Sequence, residues 1–166
     1  NFHPSPIKYE GPIFATVEHA FQAAKTLDQS ERKKVWQAKT PGDAKRLGKK
    51  VTLRPDWESI KVGVMLQCLR EKFKDPALAD ELRQTYGFDL IEGNTWNDRF
   101  WGVCKGTGKN TLGKLLMQVR DEAAGKLSAM EVSAAPALRK ASEDNPSAEV
   151  RERARELLGR MENFAT

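Results

Sequence analysis

Glu18, Gln22 and Lys25 are separated by four and seven residues, offsets that return to nearly the same face of a helix and set a carboxylate, an amide and an amine in one row. They belong to the stretch Thr16-Val-Glu-His-Ala-Phe-Gln-Ala-Ala-Lys25, in which Thr16 is a good helix cap and Val17, Ala20, Phe21 and Ala24 recur at helical spacing. Glu18 and Lys25 stand two turns apart, roughly 10 Å along the axis, which exceeds the reach of the ordinary four-apart ion pair and leaves room for a ligand. A solvated helix face would carry the same residue types. A second constellation therefore matters: Glu92-Gly-Asn-Thr-Trp-Asn-Asp-Arg-Phe-Trp101-Gly102. Trp96 and Trp101, interleaved with Asn94, Asn97 and Asp98, suit a loop lining a pocket, where aromatic faces stack on a flat ligand and amides orient it. His19 lies about 100° around the helix from Glu18 and is read as structural first and as a site residue second.

Three further blocks accompany these two: Thr40-Pro-Gly-Asp-Ala-Lys-Arg-Leu-Gly48, Arg54-Pro-Asp-Trp-Glu58, and Gly108-x-Asn110-x-Leu-Gly-x-Leu-Leu-Met117. Their identity and order resemble the NADAR (YbiA-like) domain family, over about residues 1 to 124. The resemblance implies an N-glycosidase that hydrolyses a bond between ribose C1 and nitrogen. Its substrate would be a phosphorylated ribosylamino-pyrimidine of riboflavin synthesis or ADP-ribose attached to guanine, free or in nucleic acid. An alternative is a non-catalytic module binding ADP-ribose or NAD-type ligands through the same pocket.

Breaking that bond builds positive charge on the sugar, so the site needs a nearby anion, an activated water and help for the departing nitrogen. Glu18 near a helix start is favoured as an anion by the dipole, which suits a base or charge stabiliser. Asp98 is the second carboxylate, orienting water or a sugar hydroxyl. Lys25 binds phosphate or attacks an opened sugar to form an imine. Asn1, Phe2, His19, Gln22, Trp57, Glu92, Asn94, Trp96, Asn97, Trp101, Gly102, Gly108 and Asn110 complete the candidate site, with no metal and no cofactor expected. Gly108 to Lys114, within the stretch from Gly106, mimics a nucleotide-binding phosphate loop. Leu115 stands where Ser or Thr must hold magnesium, so nucleotide hydrolysis is not expected. Free backbone amides at the helix start after Asn110 would still suit a substrate phosphate.

The elements that must position these residues read as mainly α with a few short strands. Residues 1–125 form one compact catalytic domain, and 126–166 form a helical appendage resembling one HEAT-like repeat. Pro4, Pro6 and Gly11 keep the opening stretch extended or turned. A helix is expected from about Glu31 to Ala38, anchored by Val35 and Trp36, and another from Thr40 to Gly48. Val51 to Leu53 reads as a short strand. A central core helix runs from Asp56 to about Lys74 with Ile60, Val64, Met65, Cys68, Leu69 and Phe73 inward, followed by one capped by Asp75 and Pro76. In the tail, Ala135 to Ala141 and Ser147 to Leu158 read as two helices joined at Asp144-Asn-Pro146. Their stripe of Val150, Ala154, Leu157 and Met161 needs a partner surface on this chain, another chain or further repeats.

The formal net charge of +5 suits anionic ligands. From Lys126 onward there are seven basic and seven acidic residues, so the excess lies upstream with all four tryptophans. The basic clusters Arg32 to Lys34 and Lys45 to Lys50 read as solvated faces, with a phosphate-backbone track as the alternative. Cys68 and Cys104 have no metal-ligand spacing, and Cys68 falls on an apolar helix side as a core thiol. No apolar run is long enough to span a membrane, and no leader pattern opens the chain, so a cytoplasmic location is expected. Opening at Asn1 rather than methionine, the sequence is read as part of a longer chain.

Overall fold

Helix starts in this chain coincide with short oxygen-bearing side chains that can take up otherwise unpaired amides. In the computed structural model, which describes residues 1–163, Thr16 Oγ1 accepts from His19 N at the start of α1 (Val17–Ala23). Asp28 accepts from Ser30 N and Glu31 N ahead of α2 (Gln29–Trp36). Thr40 caps α3 (Pro41–Gly48), with Pro41 filling the first helical position. α4 (Trp57–Lys72) follows without a side-chain cap, and Asp75 caps α5 (Pro76–Arg83).

Two small sheets complete this part of the chain. β1 (Ile7–Lys8) pairs antiparallel with β2 (Ile13–Phe14), placing Ile7 opposite Phe14 across a turn in which Glu10 and Gly11 take φ of 47° and 108°. β3 (Gly93–Asn94) pairs in parallel with β4 (Val103–Cys104). α1 is the hub: it contacts α2, α3 and α4, and every one of its residues is buried. Around it Phe14, Val35, Ala44, Val64, Cys68 and Leu69 form the core, joined by Leu112, Leu115 and Val119.

α6 (Thr111–Asp144) and α7 (Ala148–Asn163) end the described chain. Contacts divide it into Asn1–Asp121 and Glu122–Thr166. Within the second unit Ala154 is buried, and Arg155 donates to the Ser142 carbonyl. Pro136 sits inside α6. Its missing N–H leaves the carbonyl one turn earlier, at the exposed residue Val132, to water.

Three expectations are corrected. α2 begins at Gln29 and ends at Trp36, because Asp28 supplies the cap and the chain turns before Ala38. Val51 to Leu53 is not a strand: the Thr52 amide and hydroxyl bind the Glu31 carboxylate at 2.9 and 3.1 Å, a side-chain anchor in place of a ladder. The first tail helix has no separate start near Ala135, since α6 continues through Gly125. Among the described residues no helix is long and apolar enough to cross a membrane.

Two glycines with opposite surroundings test the packing. A Cβ at Gly102 would strike the Glu92 carbonyl, whereas one at Gly63, inside α4, meets nothing within 4 Å. Gly102→Ala is expected to cost about 1–3 kcal/mol through overpacking. Gly63→Ala is expected to gain roughly 0.5–1 kcal/mol. Urea unfolding midpoints of the two variants measure both.

Candidate active site

Glu18 and Gln22 lie one turn apart on α1, and Gln22 Nε2 donates to Glu18 Oε1 at 2.8 Å. The assignment of the amide is physical: turned over, it would set two oxygens at that distance. Glu18 is only 6% exposed, so this is not the solvated face that its residue type permits. Its second oxygen takes no hydrogen bond among the described residues, and Gln22 Oε1 is buried without a partner. Gly48 makes room for this pair, since a Cβ there would overlap the Gln22 side chain. Sequence reasoning used Gly48 only as a helix end.

The amide of Glu18 donates to the Asn1 carbonyl at 3.2 Å, so the first residue is seated against α1 rather than frayed. Phe2 is exposed, with the Lys45 amine 5.8 Å from its ring centroid.

Lys25 Nζ lies 5.9 Å from the Phe21 centroid and 6.0 Å from that of Trp57. Burial among these rings lowers its pKa, Glu18 raises it in part, and Lys45 and Lys49 push it down again. Phe21 is tilted against Trp57 at 5.0 Å and edge-on to Trp101 at 5.4 Å. α1 and the turn that ends it therefore carry a carboxylate, an amide, an aromatic wall and a half-buried amine. Trp57 is itself buried and supports this wall, while Trp101 keeps a partly exposed surface. Trp96, at 65% exposure, belongs neither to the core nor to the wall.

The loop between β3 and β4 is braced from within. Asn94 Nδ2 donates to the Asp98 carbonyl at 2.7 Å, and its Oδ1 accepts from Asp98 N at 3.0 Å. Asp98 Oδ1 accepts from the amides of Phe100 and Trp101 at 3.0 and 2.9 Å, which commits one of its oxygens to setting Trp101. Asn97 is exposed with φ of 63° and accepts from Arg99 Nε. Asn110, with φ of 50°, donates to the Leu90 carbonyl and accepts from Glu92 N.

Gly108 lies so close to Gly102 that a Cβ would overlap the Gly102 carbonyl. The expected anion site at this helix start is not open. The amides of Thr111 and Leu112 donate to the carbonyls of Phe100 and Trp101, so they hold the loop.

His19, 1% exposed, places Nδ1 at 2.8 Å from Thr16 Oγ1 and Nε2 at 3.2 Å from the Ala38 carbonyl. Nε2 must then carry the proton, and the ring joins α1 to the chain after α2. Cys68 is buried, and burial pushes its thiol up to about 12, which leaves it inert. Among the described residues no three His, Cys, Asp or Glu side chains form a metal-binding group.

The profile of the NADAR domain matches residues 1–124. The chain belongs to the NADAR family. It is 42% identical over 128 residues to N-glycosidase YbiA of Escherichia coli strain K12, spanning 75% of this chain and 79% of that protein. The NMR structure of E. coli YbiA matches with a TM-score of 0.69 at 41% identity, over 76% of this chain and 77% of that one. The riboflavin biosynthesis protein VVA0006 of Vibrio vulnificus is 38% identical over 126 residues, 74% of this chain and 34% of that protein. This NADAR fold is mainly helical with short strands, and the likeness falls on the part that carries Glu18, Lys25 and Trp101.

A depressed folded-state pKa makes the charged Lys25 amine a burden on stability below that pKa. The burden lifts as pH climbs toward 10.5, the ordinary value. Lys25→Met is therefore expected to raise the melting temperature at pH 7, with the gain shrinking as pH approaches 10.5. Calorimetric scans across that range measure it.

Proposed function

We propose that this chain hydrolyses the bond between ribose C1 and nitrogen in a phosphorylated ribosylamino-pyrimidine. Membership of the NADAR family, and relatives named N-glycosidase, set the class as a hydrolase acting on N-glycosyl bonds. The relative named for riboflavin biosynthesis supports this choice of substrate, as does an amine suited to a phosphate close to Glu18. The observation that carries the reading is the buried Glu18 carboxylate, held through one oxygen by Gln22 and left open at the other, with a half-buried amine in the turn just after the same helix.

As the C–N bond lengthens, positive charge grows over C1 and the ring oxygen. A fixed, poorly solvated carboxylate stabilises that charge more than water would. Glu18 supplies it, takes a proton from the attacking water and passes that proton to the departing nitrogen. Asp98, through the oxygen not spent on the Phe100 and Trp101 amides, orients that water or a sugar hydroxyl. Trp101 stacks on the base. Asn1 and Phe2 border the sugar, and Glu92 stands on the same side.

Lys25 binds the phosphate, assisted by the exposed lysines Lys45 and Lys49, whose fields reach it. The other role open to Lys25 is condensation as a neutral amine, favoured by its lowered pKa, with the C1 aldehyde of an opened sugar, water leaving as the imine forms. The exposed basic residues Lys45, Lys49 and Lys50 favour a second substrate on a polyanionic carrier, ADP-ribose attached to guanine in nucleic acid.

Mass spectrometry of released sugar phosphate from both substrates is the test. Glu18→Gln keeps the size and a polar contact to Gln22 but removes the charge, and it should lose about 10²–10⁴-fold in turnover, the range for a positioned acid–base group. Unchanged turnover by this variant, or tight binding of either ligand without cleavage by the wild-type chain, would overturn the proposal. Borohydride should trap a Lys25 adduct that Lys25→Met lacks.

A further inference from the structure

Away from Glu18, the β1–β2 hairpin and the end of α4 enclose a half-open groove of about 360 Å³, within the size range of small-molecule sites. Its lining includes Lys8, Lys72 and Lys74, three ammonium groups drawn from two separate segments of the chain. Two acidic residues also line it, but both are occupied. Glu71 is paired with Lys74, and Asp75 accepts from the amides of Ala77 and Leu78 as the cap of α5. Lys8 and Lys72 have no ion pair among the described residues. Asp75 keeps its charge in the wall, so the lysines of the lining exceed its acidic residues by one, a net positive charge in a concave place.

A further observation points to a ligand. Burial lowers the pKa of the Lys72 amine, and only Glu81 opposes the shift. A bound anion would relieve that desolvation. Pro6 and Ile13 add apolar wall on which the carbon skeleton of a ligand can rest.

We propose that this groove is a second anion site, which takes the phosphate group of a small phosphorylated molecule between Lys8 and Lys72. The ammonium groups recognise the charge. The segment that forms this wall also reaches Glu18. Ser5 donates to the Ala15 carbonyl, and Asn1 accepts from the Glu18 amide. The phosphate can thus come from the substrate of the Glu18 site or from a separate phosphorylated metabolite. Both share the chemistry, and the binding itself does not depend on the glycosidase reading.

The experiment is a ¹H–¹⁵N NMR titration of the full chain with inorganic phosphate, with sodium chloride holding ionic strength constant. The expected result is saturable shifts at the amides of Lys8, Ile13, Lys72 and Lys74. Lys72→Gln and Lys8→Gln, both fold-neutral by their unchanged remaining spectrum, should each weaken the apparent Kd at least tenfold. Ribose 5-phosphate then separates the sources. Shifts reaching the amides of Glu18 to Gln22 as well assign the phosphate to the substrate, and shifts confined to the groove assign it to a separate ligand. Linear shifts matched by chloride, saturable shifts confined to Lys25, Lys45 and Lys49, or variants that bind phosphate like the wild type would each overturn the proposal.

Discussion

The hydrogen bond from Gln22 to Glu18 joins two polar side chains inside a helix that has no solvent-facing side, and the rest of the catalytic part is built to tolerate it. A carboxylate withdrawn from water is costly unless its oxygens are engaged. Here one oxygen is engaged by an amide whose own acceptor is left without a partner. The surrounding apolar contacts of α1 with α2, α3 and α4 must offset that cost, because the helix spans only Val17–Ala23 and has little stability of its own. Thr16, His19 and the Asn1 carbonyl settle the polar groups at its start. Stability spent at Glu18 is the usual mark of a site whose purpose is chemical.

The second half of the site is held by close backbone approach. Gly102 lies against the Glu92 carbonyl, Gly108 against Gly102, and Gly113 against the Leu90 carbonyl. A side chain at any of these positions would separate the 90–94 segment, β4 and the start of α6. Asn94, Asp98 and Asn110 then use their polar atoms on backbone partners in the same layers. This explains why a loop rich in amides and acids, which looks like a set of ligand contacts, is in large part a brace that fixes the attitude of Trp101.

That distinction marks the limit of what the sequence tells. Helix starts at Thr16, Thr40 and Asp75 were legible because a cap is a local signal, satisfied within three residues. The apolar row of Val64, Met65, Cys68 and Leu69 was legible for the same reason. Glu18, Gln22 and Lys25 could be grouped from spacing, but not their burial, which depends on three other helices. The failed strand at Val51 to Leu53 turned on Glu31, twenty-one residues from Thr52. The occupied amides at Thr111 and Leu112 turned on a loop that closes back from Phe100 and Trp101. Contacts between distant segments decided each of these, and no local pattern encodes them.

Both cysteines of the chain, Cys68 and Cys104, are reduced and enclosed by the core. A maleimide or similar electrophile therefore finds nothing to react with until a part of the structure opens. Labelling of Cys68 reports the opening of α4, and labelling of Cys104 reports release of the layer beside Trp101. The sequence thus already contains two clocks for local unfolding, with no engineered probe required.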